Sequence, residues 1–116
     1  MPQIKILVIP ADDAKPIRIE TLPEGEGSSL KHMQTTVDGY IEDLPTPPGY
    51  KLNLFANELG KLQDFPPNRR ATLYYGRIWD SPEIDILVGN VILAGETDEK
   101  GDLTDLPDNV IDQVPS

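Results

Sequence analysis

The chain has 116 residues, with ten lysines and arginines against twenty aspartates and glutamates, and a net charge of −10. That length suits one domain with a real core, so residues 1–116 are expected to form a single one. The absence of cysteine excludes disulfides, thiolate metal sites and thiol catalysis, and a pI near 4.3 opposes direct binding to nucleic acid.

Ile4–Ile9 (IKILVI) is nearly continuous aliphatic and reads as a buried strand. Pro10–Pro16 is a turn-rich connection. Pro16–Leu22 alternates as a half-buried strand does, with Ile17, Ile19 and Thr21 on one face and Arg18 and Glu20 on the other. The two strands can form a hairpin. Pro23–Ser29 is a polar loop, and its Gly25-x-Gly27 lacks the third glycine and the buried strand of a dinucleotide loop. Ser28 or Ser29 is placed to cap a helix over Leu30–Val37, with Leu30, Met33 and Val37 as its core stripe. His32 then faces solvent. Gly39 stands where a helix end favours a left-handed residue. Tyr40–Leu44 reads as a strand and Pro45–Gly49 as a rigid turn. Tyr50–Asn57 alternates again, with Tyr50, Leu52, Leu54 and Ala56 on one face.

The stretch NELGKLQDFPPNRR (Asn57–Arg70) reads as a turn in which Gly60 supplies a positive φ and Leu62 and Phe65 tuck inward. Pro66-Pro67 extends the chain, and Asn68 either caps a short helix over Arg69–Tyr75 or starts a turn. Asp85–Ala94 (DILVGNVILA) reads as a central strand covered on both faces, with Gly89 at a bulge or close approach. Thr104 or Asp105 can cap a C-terminal helix with Pro107 in its first turn, placing Leu106, Val110 and Val114 on one face. Strands outnumber helices, and the spacing is too irregular for repeated βαβ units. The expected class is α+β: a four- to five-stranded mixed or antiparallel sheet with two or three short helices.

Three features point beyond packing. Arg69 and Arg70 fall in the first turn of a helix, where the dipole disfavours cations. With Asn68, that turn suits an anion such as a phosphate, a nucleotide or an acidic peptide. The other reading pairs both arginines with local carboxylates such as Asp64 and Glu58. Second, Tyr75 and Trp79 lie four apart on one helical face, as interface anchors or as core. Third, the charge is lopsided. Residues 1–78 hold ten acids and nine bases; residues 79–116 hold ten acids against Lys100. The acidic segment 96–116, with Glu96, Asp98, Glu99, Asp102, Asp105 and Asp108, either docks a basic partner or only confers solubility.

Catalysis has no comparable support. Aligning Gly101 to the invariant glycine of a calcium loop puts Lys100 on a ligand position and Pro107 where a glutamate belongs. There is no Walker loop, nucleophile elbow, paired-carboxylate pattern or triad spacing. No catalytic residue, metal or cofactor is expected.

From Asp38 onward the order of short motifs is distinctive. Gly39-Tyr40-Ile41-Glu42 is followed by Asn57-Glu58-x-Gly60-Lys61-Leu62, then Pro66-Pro67-Asn68-Arg69, then Asp85-Ile86-Leu87-Val88-Gly89-Asn90-Val91. This order resembles domain of unknown function 3846, of phages, conjugative elements and their bacterial hosts, from Ile4 to about Gly95. The resemblance implies a mobile-element setting and an accessory or host-takeover role, with no activity to carry over.

The expected function is a non-enzymatic phage or mobile-element accessory protein. It would bind a host or defence protein through an acidic face that mimics nucleic acid. The alternative is a small-ligand protein that holds a nucleotide or phosphate at Asn68–Arg70. An enzyme is the third reading, because catalytic groups need not be neighbours along a chain. The apolar runs are too short to span a bilayer and the N-terminus lacks a signal-peptide pattern, so the host cytoplasm is the expected location, with no membrane partner. Tyr50–Asn57 or Pro16–Leu22, as an open edge, would pair in a homodimer.

Overall fold

The structure is a computed structural model that describes residues 4–23, 27–81 and 85–115. Gly25 of the polar loop and Glu83 of the acidic third lie outside them. Five strands are β1 (Ile4–Ile9), β2 (Arg18–Leu22), β3 (Ile41–Asp43), β4 (Leu52–Asn57) and β5 (Val91–Gly95). Three helices are α1 (Ser28–Val37), α2 (Arg69–Trp79) and α3 (Asp108–Ile111). The sheet runs β2-β1-β5-β4-β3 and every neighbouring pair is antiparallel. This is the expected α+β class, with an antiparallel sheet.

Strand alternation builds two cores. Leu7, Ile9, Leu54, Val91 and Leu93 meet Ala71 and Tyr74 of α2 and Val110 of α3. Ile6, Val8, Phe55 and Ile92 meet Met33 and Val37 of α1 on the opposite face. The middle strands are therefore covered on both sides, which is why β1 reads as unbroken aliphatic sequence. Burying each Ile or Leu contributes roughly 1.5–3 kcal/mol.

Several local expectations are corrected. Leu30 is exposed, because α1 starts at Ser28 and only Met33 and Val37 reach the sheet. The left-handed residue after α1 is Asp38 (φ 61), not Gly39. In β2 the two faces group as expected and Ile17 packs partly against the α2 core, but Ile19 is 53% exposed and Leu22, on the side of Arg18 and Glu20, enters the α1 core. His32 accordingly does not point to open solvent; its Nε2 lies 2.7 Å from Glu20 Oε1. Gly60 has no positive φ, and Asp64 (φ 55) turns the chain instead. A Cβ on Gly60 would meet Val88 Cγ2 at 2.9 Å, so the glycine is there for space. Leu62 is exposed.

Only the second half of Asp85–Ala94 is strand. Val88 makes an isolated bridge with Pro67, and Gly89 at φ 73 breaks the ladder before Val91. Pro107 is the cap of α3, so neither Thr104 nor Asp105 caps it. Leu106, Val110 and Val114 are all buried, as the spacing indicates. The sheet edges are β2 and β3; β4, expected as a candidate edge, is interior.

Candidate functional site

The antiparallel ladder gives the sheet two unlike ends. One end gathers the C-termini of β1 and β4 and the start of β5. Three asparagines tie that end together. Asn68 is fully buried; its Oδ1 accepts from Ala71 N at 3.0 Å, and its Nδ2 donates to Ile9 O at 2.8 Å and Gly89 O at 2.9 Å. Asn57 Nδ2 donates to Val37 O and Asp38 O, while its Oδ1 accepts from Leu59 N at 2.7 Å. Asn90 Oδ1 accepts from Ala11 N, and its Nδ2 donates to Thr36 O, both at 3.0 Å. The Asn68 amide satisfies buried backbone groups, and those of Asn57 and Asn90 serve buried and half-buried ones.

Arg70 belongs to the same clamp. It is 3% exposed and donates through one guanidinium nitrogen to Pro10 O and Asp12 O. Its Nε lies 3.5 Å from Asp13 Oδ1, and Arg69 Nε donates to Asp13 Oδ2 at 2.9 Å. The partner of both arginines is therefore Asp13, from 56 or more residues away, rather than Asp64 or Glu58. The structure brings Asn68, Arg69 and Arg70 together at the start of α2, as expected. It also commits the Asn68 amide and one guanidinium nitrogen of Arg70 to protein groups, while the buried Arg70 Nε makes no hydrogen bond and faces Asp13 only as an ion pair.

Tyr75 and Trp79 lie four apart on α2 and hold one carbonyl. Tyr75 Oη donates to Pro45 O at 2.6 Å and Trp79 Nε1 to the same oxygen at 3.3 Å. Tyr75 is buried in the core and Trp79 packs partly against it. Beside them the Tyr74 and Tyr50 hydroxyls lie 2.6 Å apart. Burial and that shared hydrogen bond push the Tyr74 hydroxyl well above its ordinary range.

At the opposite end β5 finishes and the chain returns through residues 96–104. Thr97 bridges Leu103, and Glu96 O accepts from Thr104 N and Oγ1. Asp98 Oδ1 accepts from Lys100 N and Asp102 N, closing the tip. Asp105 Oδ1 accepts from Lys5 N, and Asp108 pairs with Lys5 Nζ, which holds that exposed carboxyl below its usual range. Glu96, Glu99 and Asp102 are exposed and, among the described residues, have no side-chain hydrogen bond or ion pair. Of the acidic third, Asp85 lies at the other end and pairs with Lys61.

The motifs noted in the sequence converge on the clamped end: Gly39, Asn57, Gly60, Asn68, Gly89 and Asn90 all lie there. A Cβ on Gly39, at φ 151, would sit 2.5 Å from Asn57 Nδ2. The model of the family described as Domain of unknown function (DUF3846) matches residues 4–115. The chain belongs to this family. No curated protein sequence matches the domain. The crystal structure of the small RNA methyltransferase HEN1 contains a similar arrangement, with a TM-score of 0.62 at 17% identity, over 97% of this chain and 16% of that one. At that identity the likeness shows the fold alone. Among the described residues of this DUF3846 domain, no group of three or more His, Asp or Glu could hold a metal ion, and no helix is long and apolar enough to cross a membrane.

Sequence reading missed Asn57 and Asn90 as clamps. The signal was present, because an asparagine at a strand end commonly serves backbone groups. Apart from Leu59 N, two residues on from Asn57, their partners lie 19 or more residues away, which spacing cannot show.

Proposed function

We propose that this domain is a non-enzymatic accessory protein of a phage or mobile element that binds a basic, nucleic-acid-binding site on a host or defence protein. The observation that carries the reading is the 96–104 loop. Glu96, Glu99 and Asp102 project without ion pairs from a return held by the Thr97–Leu103 bridge and the Asp98 turn. Carboxylates on an ordered loop lose little freedom on docking, so their charge can act on a basic surface much as phosphates do. The Asn68, Arg70, Tyr75 and Trp79 side chains contribute by holding the scaffold.

The test is capture of proteins from host lysate on the tagged domain at low and high salt, beside an E96Q/E99Q/D102N variant. The expected partner is retained at low salt, released as salt rises, displaced by DNA, and lost in the variant. Retention that is flat across salt, or unchanged in the variant, rules the mimicry out.

A further inference from the structure

Edge strand β3 closes the sheet on the side of β4. Leu44 N donates to Leu54 O at 2.8 Å and Glu58 N to Tyr40 O at 2.9 Å. In this antiparallel ladder Glu42 therefore bonds toward β4, while the N–H and C=O groups of Ile41 and Asp43 face outward at the end of the sheet. Among the described residues no strand pairs with them.

Beside this edge lies a groove of about 220 Å³. Leu44, Ala56 and Leu87 give it an apolar base, and Glu42 and Glu58 stand at its rim. Lys61, the one cation in its lining, is engaged by Asp85. The volume falls below the roughly 300–1,000 Å³ of small-molecule sites and suits one long side chain. Glu42 is paired with Ala56 in the ladder, so the groove opens on the sheet face that carries α2.

We propose that an extended basic segment of a partner protein adds to β3 as a sixth strand and places a Lys or Arg side chain in this groove. The aliphatic stem lies on Leu44, Ala56 and Leu87, and the cation sits between Glu42 and Glu58. A residue opposite Glu42 in an added strand points to the same face, within reach of both carboxylates. Strand addition supplies main-chain hydrogen bonds and the groove supplies selectivity. Tyr40, 69% exposed just before β3, offers an aromatic surface to the neighbouring residue. A second copy of β3 is disfavoured, because a two-fold antiparallel pair centred on Glu42 or on Asp43 would set that acid against its own copy.

The probes are labelled octapeptides of alternating Thr and Val with one central Arg, or Gln in its place, titrated to millimolar concentration. The Arg peptide should bind with amide shifts concentrated at residues 40–44, and the Gln peptide roughly fivefold more weakly. N-methylation of the peptide amides that face Ile41 and Asp43 should abolish binding. An E42Q/E58Q variant with an unchanged melting temperature should lose about tenfold for the Arg peptide alone. E96Q/E99Q/D102N should leave that affinity unchanged, which separates this site from the acidic loop. No binding at millimolar peptide, equal affinity for the two peptides, or loss only in the loop variant overturns the proposal. Self-association of the free domain through β3 overturns it in favour of a second copy.

Discussion

The end of the sheet where β1 and β4 finish is held by side-chain amides and a buried guanidinium, with few acceptors left open. The end where β5 finishes is held by backbone bonds, the Asp98 and Asp105 carboxylates, the Asn53 amide on Gly95 O and Lys5, while Glu96, Glu99 and Asp102 face water. Both ends are rich in polar residues. At the first, polarity replaces water for buried backbone groups; at the second, part of it does the same, and the Glu96, Glu99 and Asp102 carboxylates stay in water. A polar residue's meaning here depends on which carbonyls it is obliged to satisfy, and the two ends can be pushed apart or made alike by substitution.

The largest effect belongs to Asn68→Ala at the clamped end. The change removes the α2 cap, worth about 1 kcal/mol, and takes the side-chain donor from the buried Gly89 carbonyl, at about 1–3 kcal/mol, while the Ile9 carbonyl keeps Val91 as its ladder partner. A loss of about 2–4 kcal/mol is expected, read as a lower urea midpoint with an unchanged slope. A loss under about 1 kcal/mol would mean that water reaches this end after all.

At the acidic end the corresponding weak point is Gly95. A Cβ there would lie 2.3 Å from Asp105 O and 2.5 Å from Thr104 O, both backbone atoms that cannot swing away. Gly95→Ala should cost about 1–3 kcal/mol through overpacking. Its signature is local. The Leu106 amide, which donates to Lys5 O, should lose hydrogen-exchange protection while the Asn68 clamp keeps its own. Uniform loss of protection across the molecule would instead couple the two ends.

How much of this was legible in the sequence follows from the distance over which each residue acts. β1 was legible because four consecutive buried aliphatics leave no other reading, and Asn68 because a cap acts three residues ahead. The expected Arg69–Tyr75 helix stops four residues short of its end at Trp79. The Asp85–Ala94 run was over-read because apolar content cannot reveal that Gly89 takes φ 73 against Phe65. Asp13 as the partner of two arginines, and Lys5 as the partner of Asp105 and Asp108, were invisible because 56 to 103 residues separate them. The candidate acidic residues were legible as a charge excess, but not which of them the fold would use up. Asp98, Asp105 and Asp108 are engaged; Glu96, Glu99 and Asp102 are not.

A smaller effect lies between the ends, at Glu20. Burial acts to raise its carboxyl, but hydrogen bonds from Arg18 and His32 and their charges outweigh it and hold it below the ordinary value of 4.5. A carboxyl lowered by folding stabilises the native state above its unfolded value, and that stability is lost as pH falls through the folded one. Glu20→Gln should therefore cost under about 1 kcal/mol at neutral pH and nothing once the pH is well below 4.5. A stability curve for the variant that parallels the parent through acid would remove Glu20 from the account.

The smallest effect is the most informative about function. In E96Q/E99Q/D102N no hydrogen bond among the described residues is broken, and three like charges on one short loop are neutralised. Folding stability should stay within about 0.5 kcal/mol of the parent, or rise slightly as self-repulsion falls. Residues that add nothing to stability while concentrating unpaired charge are those a binding role can explain and a structural role cannot. A clear destabilisation, measured in the same urea series as Asn68→Ala, would show that these carboxylates hold the 96–104 return together. The acidic end would then be a scaffold like the clamped one, and its charge would no longer argue for a partner.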